Sequence, residues 1–139
     1  MGYILECYSA DVGAVRADVR AGRDLATILF GTSVLLGSLQ HASGSGSDFR
    51  SAIATALGNR AADQLLSRPD LLDFADVGGF PSVGGLTATE LELASRRLEA
   101  LLATPGAVPS GDEGDWLYEL SAVIREARSE GRDLITLYR

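Results

Sequence analysis

Chemistry in this chain would have to come from very few side chains. The 139 residues contain one histidine, His41, and one cysteine, Cys7. A structural zinc site draws on a full set of Cys and His ligands, which this chain does not have. Nucleophilic catalysis would need Cys7 or a serine beside His41. Alternation in the N-terminal segment puts Cys7 mid-strand on the presumed buried face, where a cysteine ordinarily serves as an inert small hydrophobe. Whether the fold places it next to His41 stays open at this level. No Gly-x-Ser-x-Gly elbow precedes a helix. With no lysine in the chain, a Walker-type phosphate loop is excluded.

The carboxylates offer two clusters. Asp70, Asp73 and Asp76 recur at i, i+3 and i+6, and Asp112, Glu113 and Asp115 form a short group. Neither fits the calcium-loop pattern of alternating acids, a mid-loop glycine and a terminal glutamate. Both read as solvated acids at helix ends, so no metal and no cofactor are expected. Gly78 to Gly85 holds four glycines, Pro81 and Phe80, and reads as a loop. It precedes a capped helix, and a helix start can hold an anion. Phe80 either docks on the core or touches a partner. Trp116, near the start of a helix, reads as a core anchor rather than a ligand platform.

The formal charge is −7. Such a surface repels phosphate backbones, so a nucleic-acid partner is not expected. It would complement a basic protein, or simply keep a small domain soluble. All twelve basic residues are arginine and Asn59 is the sole asparagine, a bias that suggests a GC-rich bacterial genome. The first residues carry no basic region and an early acid, unlike a signal peptide. The most apolar stretch, Leu25 to Leu39, is too short and too polar to cross a bilayer. A cytoplasmic protein without membrane contact is the expectation.

The elements follow from periodicity and punctuation. Tyr3 to Ser9 reads as a strand with Leu5 and Cys7 on one face and Ile4, Glu6 and Tyr8 on the other. Asp11 caps a helix with Val12, Val15 and Val19 on one stripe, and Gly22 ends it. Leu25, Ile28, Leu29, Thr32, Leu35, Leu36 and Leu39 follow helical spacing behind Asp24; a strand over Leu25 to Phe30 is the alternative. His41 to Ser47 reads as a flexible loop, and Ser47 or Asp48 as the cap of a helix burying Phe49, Ala52, Ile53, Ala56 and Leu57. Gly58-Asn59 breaks that helix, and Pro69 stops its continuation. Thr87-Ala88-Thr89-Glu90 is a capping box. Its helix buries Leu91, Ala94, Leu98, Leu101 and Leu102. A last helix carries Trp116, Leu117, Leu120, Val123, Ile124 and Ala127 inward, and Leu134 to Tyr138 is a strand. Gly22 to Leu29 echoes Gly131 to Tyr138, which a shared way of ending a helix explains more cheaply than duplication.

Three segments together carry a resemblance: Met1-Gly2-Tyr3-Ile4 opening a strand before an amphipathic helix, Gly84-Gly85-Leu86-Thr87-Ala88-Thr89-Glu90-Leu91 opening a later one, and Ala127-Arg128-Ser129-Glu130-Gly131-Arg132 leading to the final strand. Their order resembles the YfbM-like family of uncharacterised bacterial proteins and its actinobacterial relatives. The resemblance covers both ends and the Thr87 helix but not the Gly/Ser middle. It implies an α+β fold with both terminal strands in one sheet, and brings no catalytic residue.

The expected molecule is therefore one α+β domain over residues 1–139: helices on a small sheet that contains the N- and C-terminal strands. Its expected role is non-enzymatic protein binding, of an immunity or regulatory type, with Phe80, Asp112, Glu113 and Asp115 as candidate contacts. The alternative is a small enzyme or small-molecule binder that uses the Gly78–Gly85 loop and the nearby carboxylates. Oligomeric state has no sequence signal.

Overall fold

The computed structural model describes residues 2–72 and 82–139, with Ala26, Phe30 and Thr32 described by their backbone alone. Strand β1 spans Gly2–Ala10 and β4 spans Asp133–Tyr138. They pair antiparallel in the middle of a four-stranded sheet, with β2 (Val34–Ala42) outside β1 and β3 (Ser82–Leu86) outside β4. The fold is α+β, and both chain ends lie in one sheet, as expected.

Alternation along β1 divides the core in two. Leu5 and Cys7 point to one face, where they meet helices α3 (Gly46–Leu57), α4 (Asn59–Leu66), α5 (Ala88–Ala103) and α6 (Asp112–Ser129). Tyr8 and Ala10 point to the other, where α1 (Val12–Arg20) and α2 (Leu25–Thr32) contribute Val12, Val15, Ile28 and Leu29. The larger core is built on the stripes expected of the amphipathic helices: Leu91, Ala94 and Leu98 of α5, and Trp116, Leu117, Leu120, Val123, Ile124 and Ala127 of α6, are buried there. Leu101 and Leu102 are only partly buried.

Side chains end the helices as local chemistry requires. Asp11 accepts from the Ala14 amide and Asp24 from the Thr27 amide. The Thr87 box is complete, the Glu90 carboxylate taking the Thr87 N–H at 2.9 Å. Glu90 also holds Arg68 at 2.6 Å. Burial works to raise the Glu90 carboxyl, but the bonds from Arg68 and Thr87 outweigh it and leave it below its ordinary value. Asp133 serves two helices that are not its neighbours in sequence, taking the Val12 amide at 2.9 Å and the Ala88 amide at 2.7 Å.

Several expectations are corrected. The apolar run from Leu25 is a helix only as far as Thr32; Leu35, Leu36 and Leu39 belong to strand β2. Eight residues of β1, Gly2 to Ser9, supply a non-local partner that helical periodicity does not reveal. Leu36 is the extra residue of a bulge, since Cys7 pairs with Gly37 and Tyr8 with Leu35. His41 is not in a loop: it ends β2 with Ala42, and a 3₁₀ turn at Ser43–Ser45 leads directly into α3. That helix starts at Gly46, so Ser47 and Asp48 lie inside its first turn and make no capping bond. Within the Gly78–Gly85 stretch, residues 82–85 form strand β3, not a loop. Gly84 there passes directly beneath the end of α4, and a Cβ would run into the carbonyls of Gln64 and Leu65. The glycine serves a close helix–strand approach, not a ligand. The echoed octets adopt different structures, α2 in one case and β4 in the other, although Gly22 and Gly131 both end helices with positive φ, at 83° and 66°.

Candidate functional site

The one histidine is the centre of an aromatic cluster. His41 is 5% exposed, on the face of β2 that meets α3 and α6. Its ring stacks on Phe49 at 4.6 Å and on Tyr3 at 5.4 Å, with Tyr138 tilted at 5.8 Å and Trp116 edge-on at 6.4 Å. Both ring nitrogens are engaged. Nδ1 lies 2.7 Å from the Ala42 carbonyl, which only accepts, so Nδ1 donates. In the neutral ring Nε2 then accepts from the Tyr138 hydroxyl at 2.6 Å. Burial pushes the Tyr138 phenol above its ordinary value, with Tyr3 adding to the effect, which suits a hydroxyl that donates.

Cys7 is not part of this cluster. It pairs with Gly37 while His41 pairs with Tyr3, four positions along the same ladder, or roughly 13 Å at the strand rise. Burial, followed by the Glu119 and Glu6 carboxylates, pushes its thiol up to about 12. A thiol that resists ionisation and sits away from the histidine is no nucleophile. A Cys7–His41 dyad does not form.

An open cleft of about 910 Å³ lies beside the aromatic cluster, where the end of β2 meets the start of α6. Its lining includes the rings of Tyr3, His41 and Trp116 together with Asp112, Asp115 and Glu119. Trp116 fastens α6 to β2 by donating its indole N–H to the Gln40 carbonyl at 2.8 Å. It packs edge-on against the buried Phe49 at 5.0 Å. Trp116 is thus both the core anchor expected and a wall of the cleft. A second, smaller hollow of about 470 Å³ shares Ser45, Asp112 and Trp116 with the first and adds Asp48 and Glu113.

The five carboxylates Asp48, Asp112, Glu113, Asp115 and Glu119 differ from most of the other described acids; Asp70 and Glu126 are likewise unpaired among the described residues but line neither of these hollows. Asp18, Asp63, Glu92, Glu99 and Glu6 each face an arginine within 4.0 Å, and Asp11, Asp24 and Asp133 hold helix amides. None of the five makes an ion pair among the described residues, and no arginine lines either hollow. Three of them, Asp112, Glu113 and Asp115, occupy the first turn of α6, where the helix dipole favours negative charge. They cap nothing through their side chains; the cap position is Gly111.

Of the residues singled out in the sequence, Asp112 and Asp115 line the cleft and Glu113 the adjoining hollow. Phe80 lies outside the described residues. The alternative that joins the glycine stretch to these acids has no geometric basis among the described residues. Ser82 to Gly85 are in β3 at one edge of the sheet, and the cleft lies at β2 on the other edge, three strand spacings or roughly 14 Å away. No three of the His, Cys, Asp and Glu side chains among the described residues are placed to hold a metal ion. Sequence reasoning did not find the roles of His41, Tyr3, Tyr138 and Glu119. The available signal was the alternation Leu39-Gln40-His41-Ala42, which puts Leu39 and His41 on one face and Gln40 and Ala42 on the other.

No helix among the described residues is long and apolar enough to cross a membrane. No family model, curated protein or solved structure matches this chain.

Proposed function

We propose that this domain is a non-enzymatic binding module, of an immunity or regulatory kind in the cytoplasm, that receives a basic segment of a partner protein in the cleft between β2 and α6. One observation carries the proposal: carboxylates with no arginine partner surround a cleft walled by aromatic rings. A cation entering there gains charge complementarity from Asp112, Asp115 and Glu119. It also meets the π-faces and edges of Tyr3 and Trp116. Arginine suits such a site better than lysine because its planar guanidinium can stack on a ring and fork onto a carboxylate. The kinship to YfbM-like proteins remains part of the proposal; it adds no site residue.

The chain carries its own reporter. Trp116 is the single tryptophan and forms part of the cleft wall. Its fluorescence should respond to titration with arginine-containing peptides and not to acidic peptides of equal length. Affinity should fall steeply with salt, because the cleft acids are exposed. Asp115→Asn combined with Glu119→Gln should weaken binding about tenfold or more, by analogy with other close interfacial charge pairs. If no basic peptide binds at low ionic strength, the proposal is wrong.

A further inference from the structure

The cleft runs along an open sheet edge. Strand β2 pairs only with β1 among the described residues, so its other side carries no further strand. The direction of its backbone groups follows from β1. Ile4 exchanges both of its backbone hydrogen bonds with Arg139, at 2.8 and 3.0 Å, and so points toward the β4 side of the sheet. Ile4 faces Gln40 in the β1–β2 ladder, which makes that pair a non-hydrogen-bonded one. Gln40 therefore directs its N–H and C=O away from β1. By alternation, so do Ser38 and Ala42. The outward carbonyls of Gln40 and Ala42 already accept from Trp116 and His41. The outward amides of Ser38, Gln40 and Ala42 have no acceptor among the described residues.

Five consecutive residues of β2, from Ser38 to Ala42, line the cleft. Neighbouring residues of a strand face opposite sides of the sheet, so a cavity touching all five reaches the edge, as well as the paired Gly2–Ile4 end of β1. Natural edges are often protected by charge or proline. Val34–Ala42 contains neither, and Val34 and Leu35 are 51% and 55% exposed.

We infer that the partner segment is extended and adds to β2 as a fifth strand, with arginine or lysine at alternate positions turned toward the acids of α6. This rests on the basic-partner reading above and adds the conformation and spacing of the segment. Period two lets one set of side chains face Asp112, Asp115 and Glu119 while the backbone pairs with Ser38, Gln40 and Ala42. The other natural occupant of an open edge is β2 of a second copy. That pairing would bring two walls of unpaired carboxylates together with no arginine between them, so charge favours a basic partner.

The test uses the full chain and a nine-residue peptide with arginine at every second position and threonine between. Amide exchange is followed by NMR, and binding by Trp116 fluorescence. At saturation the Ser38, Gln40 and Ala42 amides should slow by about tenfold or more, as newly bonded amides do, whereas Leu39 and His41, already directed at β1, should change little. Gln40→Pro removes only an outward amide and should weaken the peptide by about tenfold without breaking the β1 ladder. The alternating peptide should also bind more tightly than one of the same composition with its arginines consecutive. Equal protection of inward and outward amides, or no protection with a peptide that binds, overturns strand addition while leaving the basic cleft in place. Failure of every basic peptide overturns both. A dimer in sedimentation whose formation alone protects the three outward amides assigns the edge to a second copy and overturns the inference.

Discussion

The bond between His41 and Tyr138 gives a prediction that can be worked through from the geometry. Tyr138→Phe keeps the ring in the aromatic cluster and removes only the hydroxyl that lies 2.6 Å from His41 Nε2. The Nε2 acceptor is then buried without a donor, because His41 is 5% exposed and its Nδ1 remains tied to Ala42. A buried polar atom left without its partner costs about 1–3 kcal/mol. For a chain of this length, each kcal/mol shifts the melting temperature by roughly 3–4 °C. The variant should therefore melt roughly 3–12 °C lower, by the same conversion.

The second perturbation separates the hydrogen bond from packing. His41→Phe removes the acceptor and leaves the hydroxyl of Tyr138, a residue only half-buried, so this change should be milder in its polar part. The double variant leaves neither polar atom. Its loss should be smaller than the sum of the two single losses by about 1 kcal/mol, the usual net worth of such a bond. Urea unfolding of all four proteins, read by circular dichroism, closes the cycle. If the losses add to within about 0.5 kcal/mol, the two side chains do not interact and the hydrogen bond between them is refuted.

Three further outcomes follow from the fold. Gly84→Ala should destabilise by more than about 2 kcal/mol in the same urea assay, since the new Cβ meets the backbone carbonyls of Gln64 and Leu65 rather than a movable side chain. Stability should fall as pH rises above 9. Cys7 ionises near 9.0 when unfolded but near 12 when folded, so between these values the native state holds a proton that the unfolded chain has released. The loss attributable to Cys7 is on the order of 4 kcal/mol across that window, and Cys7→Ala should make the alkaline limb shallower than in the parent protein. Deleting Leu134 to Arg139 should abolish cooperative unfolding altogether, because β4 lies between β1 and β3 and its Leu134 and Ile135 enter the two cores from opposite faces; a truncated chain that melts like the full one would refute this pairing.

What could be read from the sequence was what local chemistry decides. The Thr87–Glu90 box, the Asp11 and Asp24 caps, the breaks at Gly58 and Gly22 and the inward stripes of α5 and α6 depend on residues three or four positions apart. Strand β2 was hidden because its leucines satisfy a helical period and a strand period equally well until its partner is known. Its partner, β1, is some thirty residues earlier in the chain. The misplacement of His41 followed from the same cause. Once β2 is read as helix, the glycines and serines after His41 look like the start of a long loop instead of the single 3₁₀ turn that joins β2 to α3. The echo between Gly22–Leu29 and Gly131–Tyr138 shows the limit most directly. In both, glycine ends a helix and aspartate follows, but Asp24 caps the segment after it whereas Asp133 caps α1 and α5. The same octet pattern thus gives helix where its aspartate acts locally and strand where it acts at a distance.

The acids of the candidate site were visible as residue types but not as a site, and the reason bears on function. Negative charge at helix starts is an ordinary stabilising device, so the sequence alone allowed all of it to be assigned to capping. The structure separates two populations. Asp11, Asp24, Glu90 and Asp133 are consumed by backbone amides or by Arg68, and removing any of them should cost stability. Asp48, Asp112, Glu113, Asp115 and Glu119 cap nothing and pair with nothing among the described residues, as is true of Asp70 and Glu126, but these five gather from α3 and α6 around two adjoining hollows. Like charges gathered in this way repel one another and gain only the modest dipole benefit of the first helical turn, so neutralising them should leave the fold as stable as before or more so. If the cleft is the binding surface proposed above, stabilising substitutions should concentrate at these five carboxylates beside the open strand, and urea unfolding of Asp115→Asn with Glu119→Gln should show no loss of stability.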